Sequence, residues 1–415
     1  MKTLRIVSAG SNAKGQLAQN SVADAHTFNA CLFSDSSALS GTAAVTSIAT
    51  GSNHSLITLR DTLGQTRLWG CGDGSRGQLG EAYGRQYGCS SVLRPIDLSH
   101  YHDRDVSMIA AAWETSYITL THPSKSDIVL SLGANDFGDL GIGAKQKGSV
   151  TSGQILFDHL FSSKSATDIM RVLEIKAGPH HALARISVEN STNEQRVAGW
   201  GVSRHGQLGP QNGPNLPPFI SSPNRLPVRD VTSLALGNQH SVFLQSSGVA
   251  IGLGSDRKHQ LHEISSLSAV QSIGATWNGS YLIRQENDSW FIYGTGSNSN
   301  GQLGCSPTET TTPSLSKIPF PDETRQNYEI VDMACGSEHV LVLLKEKINS
   351  TAQQPSTAVW AWGWNEHGNL GLGHTDDVTS PTRVWPPANT PRGSEATVVG
   401  IYAGNGTSWI VVEEG

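Results

Sequence analysis

The residues best suited to chemistry in this chain are histidines that recur. His54, His180, His181, His240 and His339 each follow a glycine by two or three residues, as in Gly51-Ser52-Asn53-His54 and Gly237-Asn238-Gln239-His240. Imidazoles repeated in this way could ligate a metal ion or carry protons near neutral pH. A metal needs ligands that converge on one point about 2 Å away, whereas equivalent positions of successive repeats are held apart. The histidines are therefore expected to be structural, hydrogen-bonded to the backbone of the neighbouring repeat. Asp73, Asp136 and Asp256, read as equivalent loop positions, predict local Asx-type turns. Gly72-x-Gly74-x-x-Gly77 spells a dinucleotide fingerprint, but no helix is expected after it. No catalytic residue, metal ligand or cofactor-binding residue is assigned. The chain reads as a binding module and not as an enzyme.

The tryptophans divide into two groups. Trp69, Trp200 and Trp362 occupy the same repeat position and are expected in the core. Trp113, Trp277, Trp364 and Trp409 stand where other repeats carry something smaller. Tryptophan is enriched at the centres of protein interfaces, so these four are candidate partner-binding residues. Glu114, Asn278, Glu366 and His367 lie beside them and would supply polar complementarity.

Two alternating motifs must position these residues. The first is a Gly-containing loop after a short apolar strand, as in Trp69-Gly70-Cys71-Gly72-Asp73-Gly74-Ser75-Arg76-Gly77-Gln78-Leu79-Gly80. Its equivalent position falls at 15, 77, 138, 206, 259, 301 and 368, with the fifth loop degenerate. The second motif is the Gly-x-x-His stretch, which opens an alternating strand such as Ser55-Leu56-Ile57-Thr58-Leu59. A turn and a second strand follow, which is a hairpin signature. One such hairpin cannot bury its own faces, so seven are expected to stack around an axis. The prediction is an all-β, seven-bladed propeller forming one domain over residues 1–415. The chain starts with the strand of a first motif and ends with that of a second. Leu4–Ala9 is therefore expected to pair with Ser408–Val412 and close the ring. Long segments between motifs, at 81–107, 142–172, 186–196, 210–229, 305–328, 346–357 and 386–397, read as rim loops.

Bulk properties agree with this architecture. Charged residues are only 15% and there are 44 glycines, which suits short strands and tight turns. The net charge of −6, with no basic tail, argues against a dominant nucleic-acid footprint. Neither a leader peptide nor a membrane-spanning apolar run is read. Cys31, Cys71, Cys89, Cys305 and Cys335 are scattered and form no CxxC pair. Cytoplasm or nucleus is the expected compartment, and the Asn-x-Ser/Thr sequons at Asn278 and Asn405 are read as chance.

The Gly-Gln-Leu-Gly loops and Gly-x-x-His-Ser strands resemble those of the regulator of chromosome condensation family, over essentially the whole chain. That resemblance implies a seven-bladed propeller, a fold shared by exchange factors, ligase-associated domains, a light receptor and adaptors. Three second motifs lack the histidine: Ala112-Trp113-Glu114-Thr115-Ser116, Ala275-Thr276-Trp277-Asn278-Gly279-Ser280 and Ala403-Gly404-Asn405-Gly406-Thr407-Ser408-Trp409. With Trp360-Ala361-Trp362-Gly363-Trp364-Asn365-Glu366-His367-Gly368 and Cys71-Gly72-Asp73, they are similar to the fungal alpha-tubulin-suppressor, or killer-toxin-insensitivity, branch of the family. This similarity implies a heterodimer with a small CSL-type zinc- or iron-binding protein. It further implies a role in diphthamide synthesis on elongation factor two and in Elongator-dependent modification of wobble uridines in tRNA. Membrane association and direct nucleic-acid binding are not expected. The alternative is guanine nucleotide exchange on a Ran-type small GTPase. Light sensing is set aside, because no repeated Gly-Trp-Arg-His-Thr run is present.

Overall fold

The computed structural model describes residues 3–143, 151–161, 165, 168–189, 194–210, 218–287, 289–309, 314–347, 356–387 and 396–415. Within them the chain forms seven antiparallel sheets, six of four strands and one of three. These are the blades of a propeller. Blade 1 runs from its innermost strand Thr42–Thr50 through His54–Asp61 and Thr66–Asp73 to the outer strand Cys89–Pro95. The innermost strands of blades 2 to 7 are Asp105–Ala111, Ile169–Ala177, Val231–Leu236, Val270–Thr276, Tyr328–Cys335 and Thr397–Ala403. Blade 4 has only three strands, ending at Ala250–Gly254. Several outer strands lie inside the segments expected to be rim loops: Cys89–Pro95, Ser152–Ile155, Phe219–Arg225 and Ser316–Lys317. Parts of 142–172, 186–196, 210–229, 305–328, 346–357 and 386–397 lie outside the described residues.

Burial explains the ring. Each strand alternates, and both faces of a blade carry apolar residues that only a neighbouring blade can cover. Among the described residues, seven apolar clusters each join two adjacent blades. One packs Tyr117 and Phe157 of blade 2 against Met170, Ala184 and Trp200 of blade 3. Another packs Ile6 and Trp409 of blade 7 against Ile57 and Trp69 of blade 1. Every innermost strand also carries a β-bulge at the same place, such as between Val45 and Ser47 or Ile330 and Asp332. Bulges sharpen local twist, as strands crowded at a hub require.

The ring closes as the motif order requires. Thr3–Gly10 pairs antiparallel with Thr407–Glu414, in register from Thr3↔Glu414 to Gly10↔Thr407. Ala25–Ala30 completes this seventh blade in the order outer strand, Thr3–Gly10, Thr407–Glu414, Thr397–Ala403. One expectation fails. A short helix, Glu81–Tyr87, does follow the Gly72–Gly77 loop. The strands flanking it, Thr66–Asp73 and Cys89–Pro95, are antiparallel neighbours. No βαβ unit exists there, so the dinucleotide reading gains nothing.

Candidate partner-binding face

The second-motif loops gather on one face, where the histidines lock blade to blade. His54 Nε2 lies 2.9 Å from the Ser116 hydroxyl of the next blade. The pairs His181–Ser241, His240–Ser280 and His339–Ser408 repeat the contact at 3.1, 3.1 and 3.0 Å. The partner in each case is a serine hydroxyl, and for His240 and His339 the neighbouring blade's backbone expected from sequence, at Gly279 and Thr407, joins it. Ser241 and Ser280 donate their own protons to the carbonyls of Gln207 and Gln260. Each must therefore accept from its histidine, which fixes the proton of His181 and His240 on Nε2. Burial pushes the imidazoles well below their usual range, to about 4 for His54, His240 and His339 and about 3 for His181. All four stay neutral at physiological pH.

This lock dictates the glycine of Gly-x-x-His. A Cβ on Gly51, Gly237 or Gly336 would sit 2.1–2.2 Å from the Cε1 of its histidine. Where the histidine is replaced, the glycine is released in two blades of three. Ala112 precedes Thr115, and Thr276 precedes Gly279. Those same two loops carry Trp113 and Trp277 where the others have Ser52, Pro179, Asn238, Ser337 and Asn405.

The backbone around this tryptophan position forms two hydrogen-bonded arcs about the axis. Ser52 N–H donates to Trp113 C=O, and Trp113 N–H to Pro179 C=O. Asn238 N–H donates to Trp277 C=O, Trp277 N–H to Ser337 C=O, and Ser337 N–H to Gly404 C=O. Pro179, lacking an N–H, cannot pass the bond on. Trp113 of blade 2 stands on one arc and Trp277 of blade 5 on the other, and their ring centroids lie 5.9 Å apart although two blades separate them along the chain. Beneath lies a central channel of about 360 Å³, lined by small residues such as Ala49, Ala110 and Ala235 and by Trp277.

A second hollow, of about 290 Å³, opens beside the pair. Trp113, Phe137 and His180 form aromatic walls, with centroids 6.0 Å (Trp113–His180) and 4.8 Å (Phe137–His180) apart. Glu114, Asp136 and Asp139 add carboxylates. Arg76 from blade 1 lies 2.6 Å from Asp136 and 3.9 Å from Glu114. Asp139 is buried and faces His180 at 3.6 Å. Asn278 is fixed by Glu338 at 2.5 Å, and Gln302 donates to the other oxygen of that carboxylate at 3.0 Å. Burial raises the Glu338 carboxyl above its usual range.

The expected site residues therefore fall into three sets. Trp113, Glu114, Trp277 and Asn278 share the face around the axis. Trp364 and His367 form a separate edge-to-face pair, 5.3 Å between centroids, over Gly406, with His367 2.7 Å from Asp24 and Glu366 exposed. Trp409 is corrected: it is 0% exposed, packed in the seam between blades 7 and 1, and offers nothing to a partner. The reason is its register, because it points to the same face as Ile6 and Val411. Trp69, Trp200 and Trp362 are core, as expected. His180 is not a locking histidine; it stands one place earlier and joins the aromatic wall. Phe137, His180 and Asp139 were missed by sequence reasoning. The available signal was Gly138-Asp139-Leu140, where four other loops read Gly-Gln-Leu.

Of the three aspartates, one makes the expected Asx turn and two do not, and the three are not equivalent. Asp73 makes the Asx turn to Ser75 N–H at 2.8 Å, whereas Asp136 binds Arg76. Asp256 occupies a different place, equivalent to Asn12, Asn135, Asn298 and Asn365. All five accept from the N–H of a leucine five residues on. Among the described residues, no helix is long and apolar enough to cross a membrane.

The regulator of chromosome condensation (RCC1) repeat model matches residues 291–343 and 358–411, in blades 5 to 7. The chain is 27% identical to the RCC1 repeat-containing protein C10F6.04 of Schizosaccharomyces pombe over 99% of both chains. It is 26% identical to the secretion-regulating guanine nucleotide exchange factor of Mus musculus, over 81% of this chain and 71% of that one. Among solved structures, Prp20p from Saccharomyces cerevisiae, described with its binding properties to Gsp1p and histones, superposes with a TM-score of 0.71. That likeness has 16% identity and covers 99% of this chain and 92% of that one.

Proposed function

From a seven-bladed propeller that carries RCC1 repeats, we propose a non-enzymatic adaptor whose partner docks on the loop face around Trp113 and Trp277. The aromatic pair carries this reading. Two partly exposed indoles stand at the axis where five other loops place small or polar residues. Such rigid rings, surrounded by fixed polar groups, are the usual anchors of an interface. Glu114, Asp136 and Glu366 offer acidic complementarity to basic groups. The partner assigned to this face is a small CSL-type zinc- or iron-binding protein. The pair would serve diphthamide synthesis on elongation factor two and, with Elongator, wobble-uridine modification in tRNA, in the cytoplasm or nucleus. Support for that partner is the resemblance of the irregular blades to the branch that forms such a heterodimer.

The test is binding of purified CSL-type protein to the full chain and to Trp113→Ala/Trp277→Ala. Two central aromatic anchors account for about 4 kcal/mol or more, so affinity should fall by about a thousandfold. Both rings are partly exposed, so the melting temperature should change little. Wild-type affinity in this variant would remove the face from the interface. A second reading, nucleotide exchange on a small GTPase, is favoured by the similarity to an exchange factor over most of its length. Accelerated nucleotide release from a Ran-type GTPase, with no CSL-type protein retained, would replace the adaptor reading.

A further inference from the structure

The loop that leaves blade 4 departs from all six counterparts at its turn residue. Gly15, Gly77, Gly138, Gly206, Gly301 and Gly368 occupy the turn with φ between +70° and +84°. The fourth blade places His259 there, at φ +62°. A β-carbon in that conformation is strained. At most of the other loops it would also collide with the next blade: a Cβ on Gly15 would lie 2.5 Å from Ser91, and one on Gly368 2.5 Å from His26. Blade 5 answers with an outer strand of only two residues, Ser316–Lys317. Space is thus available, while the backbone strain remains. Strain kept at one repeat out of seven points to function.

What the histidine gains is company. His259 N–H donates to the Asp256 carbonyl at 3.0 Å, and His262 N–H donates to the His259 carbonyl at 3.2 Å. These two successive turns bring residues 256, 259 and 262 to one side of the loop. One ligand atom from each lies within 4.8 Å of the others. The two imidazole centroids are 5.9 Å apart. Among the described residues, this is the one group of three His, Cys, Asp or Glu whose ligand atoms converge in this way. Asp256 replaces the asparagine found at this place in four other loops. Its Oδ1 keeps the shared bond to Leu261 N–H at 2.8 Å. At Asn12 and Asn365 the side-chain amide binds carbonyls of the following loop. In Asp256 that amide is replaced by a second carboxylate oxygen. Glu263 stands next to the group, its Oε1 3.7 Å from His262 Nε2 and its Oε2 accepting from Leu315 N–H.

We propose that Asp256, His259 and His262 form a site for a borderline divalent transition metal ion of the zinc class. Two imidazoles and a carboxylate are the ligand set such ions prefer, and hard cations would find too few oxygens. The ligand atoms must close by about 1 Å from their present spread to reach bonds of about 2.0–2.1 Å. The histidine side chains, His259 exposed and His262 half-buried, can rotate to do so. Three protein ligands leave a fourth position for water.

The test titrates zinc chloride into the full chain by calorimetry and follows melting with and without the ion. Wild-type protein should bind one zinc with a Kd of about 1 µM or tighter and melt higher with it, while magnesium has no effect. His259→Gly should lose more than the ~100-fold in affinity that an outer-shell partner costs. In the absence of zinc, it should melt at or above the wild-type temperature, because glycine accepts the left-handed turn. Asp256→Asn keeps the leucine bond and should also lose zinc. Equal zinc affinity in wild type and His259→Gly, or no zinc binding by wild type, would overturn the assignment.

Discussion

Acidification should strike this propeller at its seams. His54, His181, His240 and His339 are buried, neutral and hydrogen-bonded across four blade boundaries, with pKa values near 3–4. In the unfolded chain each returns to about 6.5. Below that pH the unfolded state binds more protons than the folded one, so stability falls as pH falls. The contribution is complete above pH 6.5 and is lost progressively down to about pH 4. Between pH 7.5 and 5.5 each histidine costs about 1.4 kcal/mol, or about 5 kcal/mol for the four together. That is comparable with the whole stability of an ordinary domain. Asp332 and Glu338 oppose the trend, because burial raises their carboxyls and protonation favours the fold. Histidine variants separate the two effects. His339→Thr, which copies Thr407 of the seventh blade, should remove about a quarter of the histidine-linked loss. The assay is urea unfolding followed by tryptophan fluorescence at both pH values. Equal pH dependence in wild type and His339→Thr, or imidazole resonances of these residues titrating near pH 6.5, would refute the reasoning.

Two further outcomes follow from the same seams and from the closure. Deleting residues 1–10 removes the strand that pairs with Thr407–Glu414 and the buried side chains of Ile6, Val7 and Ala9. The calorimetric transition should broaden and move down by more than 10 °C, by the few degrees per kcal/mol expected of a large domain. Gly336→Ala drives a methyl group into the His339 ring and should cost about 2–4 kcal/mol. Adding His339→Thr should recover part of that loss as a coupling of at least about 1 kcal/mol in a double-mutant cycle, the carbonyl of Gly404 at 2.7 Å remaining in the way.

Repetition made the architecture legible. Seven variants of each of two alternating motifs, typified by Gly-Gln-Leu and Gly-x-x-His, mark the same turns, and their order requires the pairing of Leu4–Ala9 with Ser408–Val412. The outer strands were hidden because they need only pair along one edge. Ser316–Lys317 or Ser152–Ile155 can therefore lack the periodicity that a buried strand must keep. The bulges were hidden for a related reason, since an extra hub residue changes register and not composition. At the candidate site, Trp113 and Trp277 stood out by type, but their meeting across the axis depends on ring geometry. Trp409 shows the converse: an irregular aromatic can be core when its register points inward. His180 and His181 are adjacent and alike in sequence, but His181 opens the strand and enters the seam, while His180 lies in the bend before it and stays partly exposed.

The closure has a mechanical meaning. Thr3 and Glu414 are direct partners at one end of an antiparallel pair. A pull between them loads the rungs of that pair one after another, as in a zipper. The bonds lie across the strands, so none shares the load with its neighbours. The seam that closes the ring is thus the one that yields first under tension applied at its ends.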